Sequence, residues 1–363
     1  MAIDLNVSCE QAAAVMTASY RYTLISECVV ASLAIPPNLI LLIIIWRVTV
    51  FSLNLRLLLA HFSFILLWYS IGDIARAVQI LVSPQCGYRM TIQHCKILDL
   101  ACTGIALANV FYSFLGLCSY RLYAALNYRK YEKESQGRPW IGVVIVFLSW
   151  VTTLVVNCQD VQYLPNDQYL PICASTFVPS QYSLIFFVYL AFEVLAVAII
   201  IFVYFYTKYV ARTMAINRAL FDLSSRFQID QSVRVNGVVI PSLILHILCH
   251  IPTFVLLTGL SVEWTFAMVS RPWFTRITFL LRLIYALVHP ILAFHLNFNL
   301  KTHVLSLKFC AKIKGTQTPK THDQGQTIGA QGVRSNQAHH FNILDKMWDD
   351  TKPRIDRRGQ QKV

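Results

Sequence analysis

The chain has 363 residues, 56% hydrophobic against 13% charged, and a formal net charge of +13. Its apolar residues gather into seven blocks of about 18 to 27 residues, the length that crosses a hydrocarbon core of about 30 Å. A water-soluble globular domain is excluded on that ground. The expected fold class is an all-α membrane protein, a seven-transmembrane helix bundle whose backbone polar groups are satisfied within each span.

Residues 1–21 precede the first block. The tripeptide "NVS" at Asn6–Ser8 fits a glycosylation acceptor. The leader Met1–Tyr20 has acidic residues where a cleavable signal carries basic ones, so the first block is expected to act as its own signal-anchor. The blocks run Tyr22–Trp46, Leu55–Leu81, Ile97–Tyr120, Trp140–Asn157, Gln181–Tyr206, Gly237–Leu260 and Phe274–Leu296.

Lys and Arg accumulate on the cytoplasmic side of membrane proteins. Arg47, Arg56, Arg121, Arg129, Lys130, Lys133, Arg138, Lys208, Arg212, Arg218, Arg226 and Arg234 fall on one side. Only Arg21, Arg89, Lys96, Arg271 and Arg276 fall on the other. The amino terminus is therefore expected outside and the carboxyl terminus in the cytoplasm. The positive charge reads as orientation and attraction to membrane lipids, with no nucleic acid as partner.

Five cysteines, Cys9, Cys86, Cys95, Cys158 and Cys173, fall at or beyond the outer ends, where an oxidising compartment permits disulfides. A bridge from Cys95, at the mouth of the third span, to Cys173 would tie the second outer loop over the bundle. The alternative is free thiols in an odd-numbered set, and spacing pairs none of the remaining three.

Ionisable residues inside spans are costly and usually face the bundle interior, which makes each a functional candidate. Asp73 and Arg76 stand three apart on the second span, where they face one another and neutralise. Asp99 lies one turn inside the third span, Glu193 near the middle of the fifth, and Arg282 in the outer third of the seventh. Together with His250, these make Arg76, Asp99, Glu193 and Arg282 the candidate lining of an outward-facing ligand pocket. Glu193 lies too deep to reach headgroups and is expected to have a partner inside the bundle or to be protonated.

"HILCH" puts His246 and His250 four apart on one face of the sixth span, a spacing that suits a metal. His61, His289 and His295 are further potential ligands. No glutamate adjoins either histidine as in H-E-x-x-H. The expectation is hydrogen-bonded interior histidines, with no metal and no cofactor.

In "LVHPIL" Pro290 follows His289 deep in the seventh span. Proline removes a backbone hydrogen bond and frees the carbonyl one turn back, which a neighbouring helix can satisfy. Pro252 does the same in the sixth span. Pro252, His289 and Pro290 are the expected hinges of a switch.

Beyond the last span, residues 297–315 alternate apolar side chains with Lys301, Lys308, Lys312 and Lys314, as an interfacial helix does, and Cys310 is a candidate for palmitoylation. Residues 316–363 are expected to be a disordered cytoplasmic tail, because their polar composition cannot build a core.

Several segments carry a resemblance. "SYRLYAAL" at the foot of the third span, "CHIP" in the sixth and "HPILAF" in the seventh resemble, loosely, the rhodopsin-like G-protein-coupled receptors. "SCEQAAAVMTASYRYTLI", "SLAIPPNLI", "NLRLLLAHF", "RKYE" and "LSSRFQIDQSVR" are similar to nematode serpentine chemoreceptors of the class AB type, from Ser8 to Leu300. The resemblance implies a heterotrimeric G protein and a small-molecule ligand as partners. It places Arg121 and Tyr120 at the G-protein-coupling foot of the third span, in a receptor of the plasma membrane or sensory cilium. The chain departs from the family where Tyr120 stands for a glutamate, which leaves Arg121 without its acidic partner. The alternatives are an intramembrane metal-dependent hydrolase built on the histidines, or a ligand-gated channel. The leading reading is not an enzyme.

Overall fold

A computed structural model describes residues 17–47, 51–82, 90–128, 139–162, 169–170, 182–216, 223–261 and 270–296. Asn6, Cys173 and Cys310, with segments 297–315 and 316–363, lie outside the described residues.

Seven apolar helical rods appear in order: α1, Ala18–Arg47; α2, Leu53–Val82; α3, beginning at Ile92–Asp99; α4, Trp140–Gln162; α5, Tyr182–Ile216; α6, Leu223–Ser261; and α7, Ser270–Leu296. Six are long and apolar enough to cross a membrane, and α4 adds a shorter apolar stretch, Trp140–Val156. α7 packs on α1 and α6, α1 on α2, and α6 on α5, while α3 runs between α2, α4 and α5.

The reason for this arrangement is visible in α1. Its buried positions Tyr20, Leu24, Glu27, Ala31, Ala34, Asn38 and Leu41 recur every three or four residues, one stripe of a 3.6-residue helix. The opposite face shows Val29, Leu33, Ile40, Ile43 and Trp46, which are exposed and apolar. Both faces are apolar, so lipid covers one while small and polar residues bring neighbouring helices together on the other.

α3 is not a regular helix throughout. Residues Ile92–Asp99 continue through a π-helical turn at Leu100–Gly104 into Ile105–Leu126. A π turn bonds each amide five residues back, here Ile105 N to Leu100 O, and leaves a carbonyl exposed to a neighbour. Trp68 Nε1 on α2 donates to one such carbonyl, Ala101 O, at 3.0 Å. Beside it Gly72 lets α2 approach so closely that an added Cβ would stand 1.7 Å from Cys102 O. Gly72→Ala is accordingly expected to lower stability by about 3 kcal/mol, the upper range of overpacking, because the obstacle is backbone. At Gly116 the obstacle is the movable Ile145 Cγ2, at 2.3 Å. Thermal midpoints of the purified variants check the contrast: equal shifts for Gly72→Ala and Gly116→Ala would show that the α2–α3 approach is not tight.

Two features escape hydropathy. Met90–Thr91 (β1) and Tyr169–Leu170 (β2) form a two-residue antiparallel pair, Met90 opposite Leu170, joining the approach to α3 with the second outer loop. α5 continues to Ile216 rather than ending at Tyr206, and α6 begins at Leu223 rather than Gly237. In these extensions Val210 and Met214 pack on Ile229. A window that reads only apolar density misses such amphipathic ends.

Candidate ligand and switch sites

Outer and inner ends are named here by the orientation that loop charge predicts. At the outer end, four helices contribute to one buried charge cluster. Arg76 pairs with Asp73 on its own helix, with Glu27 on α1 at 3.6 Å and with Asp99 on α3 at 3.7 Å. Arg276 on α7 reaches Glu27 at 3.1 Å and donates to the Tyr20 hydroxyl from Nε at 3.0 Å and from Nη2 at 2.7 Å. The Arg76 guanidinium lies 3.6 Å from the Phe279 ring centroid, with Arg282 at 5.4 Å on the same ring, as cation–π pairs do. Three carboxylates thus meet three guanidiniums in a charge-balanced cluster. The π turn helps to place Asp99, since Thr103 Oγ1 donates to Asp99 O at 3.0 Å and approaches Asp99 Oδ1 at 3.3 Å.

Halfway down, the expected partner of Glu193 is His246, whose Nε2 lies 2.5 Å from Glu193 Oε1 and joins α5 to α6. His250, one turn above, turns Nδ1 to the His246 carbonyl at 2.8 Å. Rings enclose the pair. Phe114 stacks on His246 at 5.1 Å, Phe111 meets His250 edge-on at 5.3 Å, and Tyr285 stands 5.0 Å from His246. The other histidines go separately to serines, His61 to Ser113 and His289 to Ser242. Among the described residues no group of three or more His, Cys, Asp or Glu side chains is placed to hold a metal.

The carbonyl that Pro290 frees in α7 is that of Ala286, and its acceptor capacity is used. Asn38 Nδ2 on α1 donates to Ala286 O at 2.7 Å and to Ala34 O at 2.8 Å. His289 meanwhile binds Ser242 on α6, Nδ1 to Oγ at 2.6 Å. The His-Pro pair therefore joins α7 to α1 on one side and to α6 on the other. α6 continues as helix through Pro252. Below this junction lies a cavity of about 40 Å³ with largely apolar walls that include Phe62, Phe114, Val235, Val239, Ser242 and His289.

At the inner end Arg121 is buried, and its Nη2 donates to the backbone carbonyl of Ser232 at 3.2 Å, tying α3 to α6. The acid missing at position 120 is thus replaced by a carbonyl of the neighbouring helix. Tyr120 is fully buried and its hydroxyl bonds Ser52 Oγ at 2.8 Å; that oxygen also receives Leu55 N at 3.4 Å, at the start of α2. Cys95 is buried at the head of α3 and disulfide-bonded.

Of the five pocket candidates, Arg76, Asp99 and Arg282 come together in the outer cluster, while Glu193 and His250 form a separate group deeper in the bundle. Sequence reasoning missed Glu27, Arg276, Tyr20 and Asn38. Glu27 and Arg276 carried the available signal, as charged residues inside apolar blocks. Asn38 directly follows Pro36-Pro37, and nothing local marks it as the donor to α7.

The profile of the serpentine type 7TM GPCR receptor class ab chemoreceptor family matches residues 6–294. The chain is also similar to serpentine receptor class alpha/beta-14 of Caenorhabditis elegans, with 23% identity over 243 residues. That alignment covers 63% of this chain and 62% of the relative's length.

Proposed function

We propose, from the premise that this chain belongs to the serpentine class ab family of seven-transmembrane G-protein-coupled chemoreceptors, that it senses a small molecule and signals to a heterotrimeric G protein. The molecule binds in the outer half of the bundle of a receptor in the plasma membrane, including that of a sensory cilium. The response is a population shift, driven by the ligand's greater affinity for one helix arrangement. In the resting arrangement Arg121 holds α6 against α3; in the active one α6 parts from α3 and frees the guanidinium for the G protein. The observation that carries this reading is the hydrogen bond from Arg121 to the Ser232 carbonyl.

The direct test is guanine-nucleotide exchange on purified heterotrimeric G protein by the full chain in nanodiscs. Exchange above that of empty nanodiscs is expected, with no ion conductance in planar bilayers. Conductance without exchange would favour a channel. Orientation is checked separately: an epitope at the amino terminus is expected to label on intact cells, and one after Val363 only after permeabilisation. The reverse pattern would leave Arg121 facing away from any G protein.

Cys95 pairs with Cys173 in this reading. Cys95→Ser and Cys173→Ser are then expected to lower surface expression equally, and the double variant no further, because the two act as a unit. Additive losses would assign Cys95 a different partner.

A further inference from the structure

We infer that the ligand carries a positively charged nitrogen, and that Glu193 and the rings around it receive that group. This deepens the receptor reading above and rests on it.

The charge balance of the bundle supports a cation. Glu27, Asp73 and Asp99 all lie within ion-pair distance of Arg76 or Arg276, so each carboxylate of the outer cluster already has a guanidinium beside it, although Glu27 Oε1 and Asp73 Oδ2 have no hydrogen-bond donor. Among the described residues Glu193 differs: it forms no ion pair with lysine or arginine, and its one bonded partner is His246, through Oε1. Its second oxygen, Oε2, is buried and has no donor, although the residue is only 6% exposed. Buried polar atoms are nearly always satisfied, and an unsatisfied carboxylate oxygen costs more than a neutral one. A ligand ammonium would supply both the missing donor and the missing positive charge.

The surroundings fit the same group. Tyr189 stands one turn from Glu193 on α5 and stacks on Phe111 with ring centroids 4.9 Å apart. Tyr112 meets Tyr189 at 5.9 Å and Phe192 at 5.5 Å. Aromatic faces attract cations, most strongly where water is excluded. A carboxylate oxygen among aromatic rings recognises an organic ammonium ion; a carboxylate ligand would meet the same oxygen with repulsion.

Binding of phenethylamine, tyramine and choline, with phenylacetate as the oppositely charged match of the first, is measured on the purified full chain in nanodiscs by thermal shift and titration. At least one amine is expected to raise the unfolding midpoint, and phenylacetate to leave it unchanged. Glu193→Gln is expected to weaken that amine by about 10- to 100-fold, the effect of losing a charged hydrogen bond, and Tyr189→Leu by a smaller factor. Should Glu193→Gln fail to fold, Glu193→Asp keeps the charge but withdraws it by one methylene, and at least a several-fold loss is expected. The proposal is overturned if no amine binds at millimolar concentration, if phenylacetate binds better than phenethylamine, or if the Glu193 and Tyr189 variants bind as the unaltered chain does. Ligand-free nucleotide exchange separates the two readings: exchange without amine binding removes only this inference, and amine binding without exchange removes only the G-protein reading.

Discussion

Arg76→Met is expected to remove most of the folded protein from the cell surface and to destabilise the purified remainder by about 3–5 kcal/mol, the cost of stripping one partner from a buried ion pair. Arg76 lies between three carboxylates, Asp73, Glu27 and Asp99, and two of these are wholly buried. Its removal leaves Arg276 to hold Glu27 alone, and Asp73 loses its ion-pair partner. Partial rescue by Asp73→Asn is expected, since the second change neutralises a charge that the first left unbalanced. Arg76→Lys should recover little, because a single ammonium cannot reach three carboxylates from one position as a planar guanidinium does. Surface labelling and thermal midpoints decide the matter. A normal midpoint in Arg76→Met, with only the ligand response lost, would return Arg76 to the ligand pocket.

Arg121→Lys and Arg121→Ala are expected to reach the surface in near-normal amounts while nucleotide exchange on the G protein falls at least tenfold. Arg121 belongs to the inner end, where its hydrogen bond to the Ser232 carbonyl contributes about 1.5–3 kcal/mol, the range for a charged donor, so folding is expected to tolerate its loss better than that of Arg76. Signalling is expected not to, because in the proposed reading the same guanidinium leaves Ser232 and engages the G protein. Lysine keeps the charge but lacks the planar fork. Exchange rates at matched surface levels check this. Raised exchange in Arg121→Ala would make the residue a tether only, and unchanged exchange in Arg121→Lys would make it an anchoring charge. Glutamate at position 120 is a poor probe of the same lock, since Tyr120 is fully buried and its hydroxyl holds Ser52 at the start of α2.

Apolar block length by itself determined that the chain is a bundle of membrane helices, because hydrocarbon thickness and backbone satisfaction leave no other use for seven such blocks. It also marked Asp73, Arg76, Asp99, Glu193 and the histidines, since a polar group within an apolar run is conspicuous without any fold. Even the junction at Pro290 was half legible: the ring must free the Ala286 carbonyl, and sequence alone says so. Which group would take that carbonyl was not legible, because Asn38 lies 248 residues away and only the packing of α1 on α7 brings the two together. The same holds for the charges. Asp73 and Arg76 share a helix turn, so their pairing follows from spacing, whereas Glu27, Asp99 and Arg276 join them only when four helices close. The π turn in α3 escaped because an extra residue in one turn leaves hydropathy unchanged. It matters through Gly72 and Trp68 on the helix alongside and through Thr103 beside Asp99, and so tertiary packing alone decided which carboxylates came to lie beside an arginine and which, at Glu193, did not.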